Sequence, residues 1–283
     1  MKLLPPLPVR PDWRTAARAV ALAPTLALVL AAGVARAENL SIRYAVKLLG
    51  VPLGTATLVA TIDPTSYRIE ANAKLTGVAT VVSNAKGAAT ASGVFVQGRV
   101  APNGFATTSA NSQTTRTIRI AMQAGNVRAS EIMPPFESPP DRIPILESQK
   151  HNVIDPLSAM IMPVALDAPV AGPAACNRNI PIFDGWTRFD VPLSYAGNRE
   201  MAIRGYNGPV VVCGARYIPI SGHRDRPVVK FMAENKEMDA WLAPVGASHV
   251  AVPLRIAVKT LIGMLTIEAT EYNVVNSGVS ARR

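Results

Sequence analysis

Strict two-residue alternation is the feature that most limits what this chain can become. Tyr67, Ile69, Ala71, Ala73 and Leu75 alternate with Arg68, Glu70, Asn72 and Lys74. Successive side chains of a strand point to opposite faces, so this pattern describes a sheet with one buried and one wet face. It returns at Thr115–Met122, where Ile118, Ile120 and Met122 oppose Thr117, Arg119 and Ala121. It returns again at Met264–Asn273, where Leu265, Ile267 and Ala269 oppose Thr266, Glu268 and Thr270. Further strands are expected at Asn39–Leu49, Thr55–Ile62, Val94–Val100, Asn126–Met133, Met201–Gly205, Pro209–Ile220, Val228–Ala233, Glu237–Leu242 and His249–Lys259. Pro134–Pro144 carries five prolines and reads as a surface loop. The expected fold class is mainly β, a single antiparallel domain over residues 38–275.

The stretch from Asp155 to Cys213 carries the strongest local signals. Asp155 can accept backbone hydrogen bonds at a helix start, and Pro156 suits the first helical position. Leu157, Met160, Ile161 and Val164 have helical spacing. One helix near 156–164 is therefore expected to cover the sheet, ended or bent by Pro163. Met160 and Met162 could line an adaptable pocket, although at this spacing they also suit ordinary core. Asp184-Gly185, between Ile180–Phe183 and Trp186–Leu193, reads as the two-residue turn of a hairpin.

The N-terminus bears on compartment. Lys2, Arg10, Arg14 and Arg18 precede the uncharged run Ala19–Val34, and Ala35-Arg36-Ala37 follows. This is the layout of a secretory signal peptide over residues 1–37, cleaved after Ala37. The run is shorter than the roughly 20 residues needed to span a bilayer, so no transmembrane anchor is expected after cleavage. The net charge of +10 falls to +6 without the leader's five basic residues and one acidic one. The basic residues are scattered, and nucleic acid is not an expected partner. Cys176 and Cys213 are the only cysteines, and two cysteines in an exported protein pair readily. Zinc would need two further ligands, and no His or Cys lies at short spacing from either. A flexible tail is expected over 276–283.

Several motifs then line up in order: Tyr44 with Gly50-Val51-Pro52-Leu53-Gly54, Gly77, Asp155-Pro156-Leu157-Ser158-Ala159, Phe183-Asp184-Gly185, Cys213, Trp241, and Pro253 followed by Gly263. Together they resemble an exported proteobacterial family known as domain of unknown function 3108. The resemblance implies an antiparallel β protein and brings no established reaction. By fold-level analogy it is similar to the open half-barrels of envelope proteins that hold acyl chains in an apolar concavity, so the expected architecture is one large antiparallel open or half barrel, or a curved sheet, with one covering helix.

Catalytic signatures are sparse. His151, His223 and His249 lack metal-ligand spacing, and no Gly-x-Ser-x-Gly elbow is present. Ser158 lies near the expected helix start, where a first-turn role accounts for it. Nothing in the sequence shows Asp184 and Asp190 converging as an acid/base pair. His223, in Ser-Gly-His-Arg-Asp-Arg-Pro, is the best single candidate for anion binding. No cofactor and no metal are expected. The first functional expectation is a non-catalytic, periplasmic binder of a lipid or acyl chain, with Met160, Ile161, Trp186 and Trp241 at the ligand. The alternative is a structural envelope protein with a protein partner on its wet face or a sheet edge; a third reading is a hydrolase whose site a single sequence does not reveal.

Overall fold

The computed structural model describes residues 37–77 and 79–276. The expected leader (apart from Ala37) and the tail beyond Asn276 lie outside the described residues. The described residues form one fifteen-stranded antiparallel sheet. Its strands are β1 (Glu38–Leu48), β2 (Val51–Ile62), β3 (Ser66–Leu75), β4 (Lys86–Val96), β5 (Arg99–Ala110), β6 (Thr115–Gln123), β7 (Asn126–Met133), β8 (Met162–Pro163), β9 (Arg178–Phe183), β10 (Arg188–Ile203), β11 (Tyr206–Ala215), β12 (Ile218–Ser221), β13 (Met238–Pro244), β14 (Val250–Thr260) and β15 (Gly263–Asn276). Three short helices, α1 (Ala79–Val82), α2 (Pro173–Cys176) and α3 (Pro227–Glu234), accompany them among the described residues. The spatial order is β12-β10-β11-β13-β14-β15-β1-β2-β3-β4-β5-β6-β7, with β8 on β14 and β9 on β10. The sheet curls without closing, because β7 pairs with β6 alone.

Alternation places the apolar set inside. Leu40, Ile42, Leu58, Ala60, Ile62, Tyr67, Ile69 and Phe105 are buried in the core under β1–β5. A second cluster lies on the opposite face of β11, β13 and β14, around Val211, Cys213, Leu242 and Ala251. The strands of this half are therefore apolar on both faces: Val210 belongs to the first cluster and Val211 to the second.

The expected covering helix is corrected. Ser158–Met160 is a single 3-10 turn, followed by the two-residue β8. Asp155 does accept from the N–H groups of Leu157 and Ser158, at 3.0 and 2.8 Å. Beyond that turn the chain divides its side chains between two cores. Leu157 and Ile161 enter the first, and Ala159, Met162 and Val164 enter the second. An extended backbone can serve both sides at once, whereas a helix presents one apolar stripe. The Val164 N–H then continues onto the His249 carbonyl at 2.8 Å.

Three other expectations differ from the structure. Val228–Ala233 is helical rather than extended, within α3 (Pro227–Glu234); Pro227 occupies the first turn, where its missing N–H costs nothing. The short strand expected at Val94–Val100 is instead the turn region of the long β4–β5 hairpin, with Gln97 and Gly98 at positive φ. The Asp184-Gly185 hairpin has a four-residue loop, since Phe183 pairs with Arg188. The Asp184 carboxylate accepts from the N–H groups of Trp186 and Thr187 and from the Thr187 hydroxyl. This local turn frees Trp186 to pack elsewhere. Gly185 sits against Ile118 of β6, where a Cβ would collide at 2.5 Å.

That approach helps to close the open side of the barrel. Trp186 stacks on Phe136 with ring centroids 4.7 Å apart. Arg116 of β6 lies over Phe136 at 3.9 Å, and Arg142 lies over Trp186 at 3.7 Å. Arg142 also donates to the Gly222 and Trp186 carbonyls. A cation–aromatic–aromatic–cation stack thus ties β6, the proline-rich loop and the β9–β10 loop together.

Cys176, at the end of α2 (Pro173–Cys176), is bonded to Cys213 of β11. The bond pins the 153–183 segment to the second core. It closes a 37-residue separation, for which chain entropy predicts about 4 kcal/mol. Replacing both cysteines by alanine should lower the unfolding free energy by about 2–4 kcal/mol, read as a drop in urea midpoint relative to the oxidised protein.

Candidate functional site

The interior of the half-barrel is filled unevenly along its axis. One end contains the β2–β3, β4–β5 and β6–β7 turns. There the 153–161 segment crosses the interior, with the Val153 N–H on the Gly125 carbonyl at 2.8 Å. Val153, Leu157 and Ile161 are buried among the strand side chains. The Tyr67 hydroxyl donates to the Ser158 hydroxyl at 2.8 Å. Ser158 and Asp155 are fully buried. Burial pushes the Asp155 carboxyl above its ordinary range, opposed by the Ser158 hydroxyl and the N–H groups of Ser158 and Leu157. Its Oδ2 atom has no hydrogen-bond partner among the described residues. Burial likewise raises the Tyr67 hydroxyl. Ser158 is thus an interior acceptor rather than an exposed nucleophile.

The opposite end is open. A cavity of about 430 Å3 lies there, mostly apolar and lined by Val46, Gly54, Ala73, Leu75, Gly87 and Arg116 among others. Register explains it. Tyr44, Ala56, Ala73, Gly87, Ser109 and Arg116 form one continuous cross-strand row from β1 to β6. Two rows nearer the filled end, the same strands carry Leu40, Ala60, Ile69, Ala91, Phe105 and Ile120. Small inner residues in the first row leave space that large ones occupy in the second. Alternation assigns Thr57, Asn72, Ala88 and Thr108 to the outer face, where they line a second depression of similar volume. No carboxylate lines either hollow, whereas Lys74 and Lys86 border both.

The residues expected to hold a ligand are not gathered at this cavity. Ile161 is core, and Met160 packs half-buried against it. Trp241 of β13 stacks with Arg255, 4.9 Å from ring to guanidinium, and Arg255 is ion-paired with Asp239 at 2.5 Å. Trp186 is in the seam, connected to the cavity only through Phe136 and Arg116. Asp155, Pro156, Ser158, Asp184 and Gly185 shape turns. Asp190 is paired with Arg188 and Asn179 rather than with Asp184. His223 accepts the Ile143 N–H on its carbonyl, and the neighbouring Arg224 is ion-paired with Asp141 at 2.7 Å. Of the six strands that line the cavity, β4 and β5 are the ones the sequence does not reveal, because their inner residues there are Gly87, Ala89 and Ser109. Two small residues in register on neighbouring strands were the available signal.

Residues 42–270 match the family described as "Protein of unknown function (DUF3108)". The chain belongs to this family. The resemblance read from the ordered motifs is borne out. No curated protein matches the chain. Among solved structures it is similar to a β-barrel-like protein of domain of unknown function DUF1849 from Brucella abortus, at 8% identity and a TM-score of 0.47. That likeness covers 85% of this chain and 99% of the other.

The buried Asp155 makes a pH signature. A carboxyl whose pKa is raised by folding contributes most when protonated, below the ordinary carboxylate range, and its contribution is lost as pH rises through the raised value. Asp155→Asn keeps an acceptor for both N–H groups and removes the charge. The variant should match the wild type in acid and exceed it in stability toward neutral pH, measured by urea unfolding across that range. Tyr67→Phe leaves the buried Ser158 hydroxyl without its donor and should cost about 1–3 kcal/mol at all of these pH values.

Proposed function

We propose that this DUF3108 protein is an exported, periplasmic, non-catalytic component of the cell envelope that binds a lipid or other hydrophobic ligand in the open end of its half-barrel. The observation that carries this reading is the cavity left by the small-residue row. Its 430 Å3 lies within the ~300–1,000 Å3 of small-molecule sites. Its apolar wall suits an acyl chain, and Arg116 suits an anionic or polar end of the same molecule. The Cys176–Cys213 bond supports an oxidising compartment. Among the described residues no helix is long and apolar enough to cross a membrane.

The alternative, a structural protein with a protein partner, draws support from β7. This strand pairs with β6 alone, and an unpaired edge can accept a strand from another chain.

Native mass spectrometry of the protein from its own envelope, with organic extraction, separates the two. A stoichiometric apolar adduct is expected. Ala73→Trp, an exposed position on the cavity wall, should fill the space and remove most of the adduct while the melting temperature stays within a few degrees. A bare polypeptide mass under gentle conditions would favour the partner reading.

A further inference from the structure

The mouth of the cavity is built unlike the other end of the barrel. The β1–β2 turn is formed by Leu49 and Gly50, both at positive φ. Asn or Asp ordinarily precedes Gly in such a turn, because a leucine side chain gains nothing there and strains the backbone. Leu49 is nevertheless 68% exposed, and the next residue after the turn, Val51, is 50% exposed. The β14–β15 turn carries Leu261 and Ile262, 59% and 71% exposed. The two turns touch. The Leu49 N–H donates to the Met264 carbonyl at 2.9 Å, and the Leu49 side chain lies directly over Gly263. At the opposite end the two-residue turns are Gln97-Gly98 and Ala124-Gly125. Paired apolar turn apices thus belong to the open end.

Charge accompanies them. Lys74 and Lys86 are direct cross-strand partners on β3 and β4. Like charges placed opposite each other repel, and no carboxylate lies within ion-pair distance of either among the described residues. Lys74 is the penultimate residue of β3, at the same end of the barrel, opposite Thr55 of β2 and four residues along from Val51: the Thr76 N–H donates to the Leu53 carbonyl at 2.9 Å, and Gly54 abuts the Lys74 backbone. Both lysines also border the cavity.

We infer that this end of the barrel docks on an anionic phospholipid bilayer. Leu49, Val51, Leu261 and Ile262 enter the interfacial region, while Lys74 and Lys86 meet the anionic headgroups. Apolar insertion and cation–headgroup attraction are the two terms of reversible interfacial binding. Their complementarity to such a surface accounts for a leucine in a glycine-type turn and for an uncompensated lysine pair. The mouth of the cavity would then face the bilayer, the source or destination of a hydrophobic ligand. Docking does not require the cavity to be loaded, so this inference and the ligand-binding reading can fail separately.

The test is flotation of the purified protein with phosphatidylglycerol-containing vesicles and with phosphatidylcholine vesicles. Binding should favour the anionic vesicles and weaken with added salt. Lys74→Gln with Lys86→Gln should lower the partition coefficient about twenty-five-fold at low salt, at about fivefold per lysine. Leu261→Ser with Ile262→Ser should lower it about tenfold or more on the same vesicles. Leu166→Ser, at an 82% exposed leucine outside both turns, should leave it unchanged. Unaltered far-UV circular dichroism and melting temperature of the variants confirm that folding is intact. No flotation of the wild type with anionic vesicles overturns the inference. So does flotation that survives both double variants, or that falls equally with Leu166→Ser.

Discussion

An open barrel must fill its interior with something other than its own closing strands, and here the 153–161 segment does so. The Tyr67–Ser158 hydrogen bond and the Val153–Gly125 backbone bond anchor it to strands distant in sequence. Asp155 organises the turn from inside, accepting two N–H groups with one oxygen. Leu157 and Ile161 can then enter one core while Met162 and Val164 enter the other. The disulfide holds the continuation of this segment against β11. A buried carboxyl is costly, but its location where the chain crosses the interior explains why a polar turn is embedded among apolar strands.

The same segment determines where the protein is empty. It occupies the end at which Ile62, Tyr67, Ile69 and Phe105 are already large, and leaves untouched the end where Ala73, Gly87 and Ser109 are small. Arg116 joins the two regions. Its guanidinium faces Phe136 and donates to the Pro134 carbonyl at 3.0 Å, so one residue belongs both to the cavity wall and to the stack that seals the unpaired side. The proline-rich loop supplies an aromatic and an arginine to that stack at fixed positions. Backbone rigidity helps here, because prolines lower the entropy lost on ordering the loop.

Legibility in sequence followed side-chain size. β1, β2, β3, β6, β14 and β15 carry large apolar residues at every second position, and each is expected within a few residues of its observed bounds. β4 and β5 carry Ala, Gly, Ser and Thr there, so their period is present without amplitude. α3 was hidden for another reason: Val228, Val229 and Phe231 suit a strand by propensity, and tertiary packing chose the helix that Pro227 permits. At Asp184-Gly185 the turn was correctly placed, but its length was not, because the Asp184 carboxylate captures backbone groups two and three residues onward. The consequence reaches the site: two of the six strands around the cavity, β4 and β5, are the least visible in the sequence.

Sequence alone determined the antiparallel β class, the loop at Pro134–Pro144, the backbone-capping role of Asp155, and the family, since each depends on local pattern or motif order. A Cys176–Cys213 bond was also expected, although only tertiary structure could bring the two sulfurs together. Tertiary structure alone decided which end of the open sheet is filled, and that Leu49 meets Gly263 and Met264 across more than two hundred residues. The physical reason is register. Alternation states that a residue faces inward, but only strand pairing states which inward residues share a row, and a row of small ones makes a cavity.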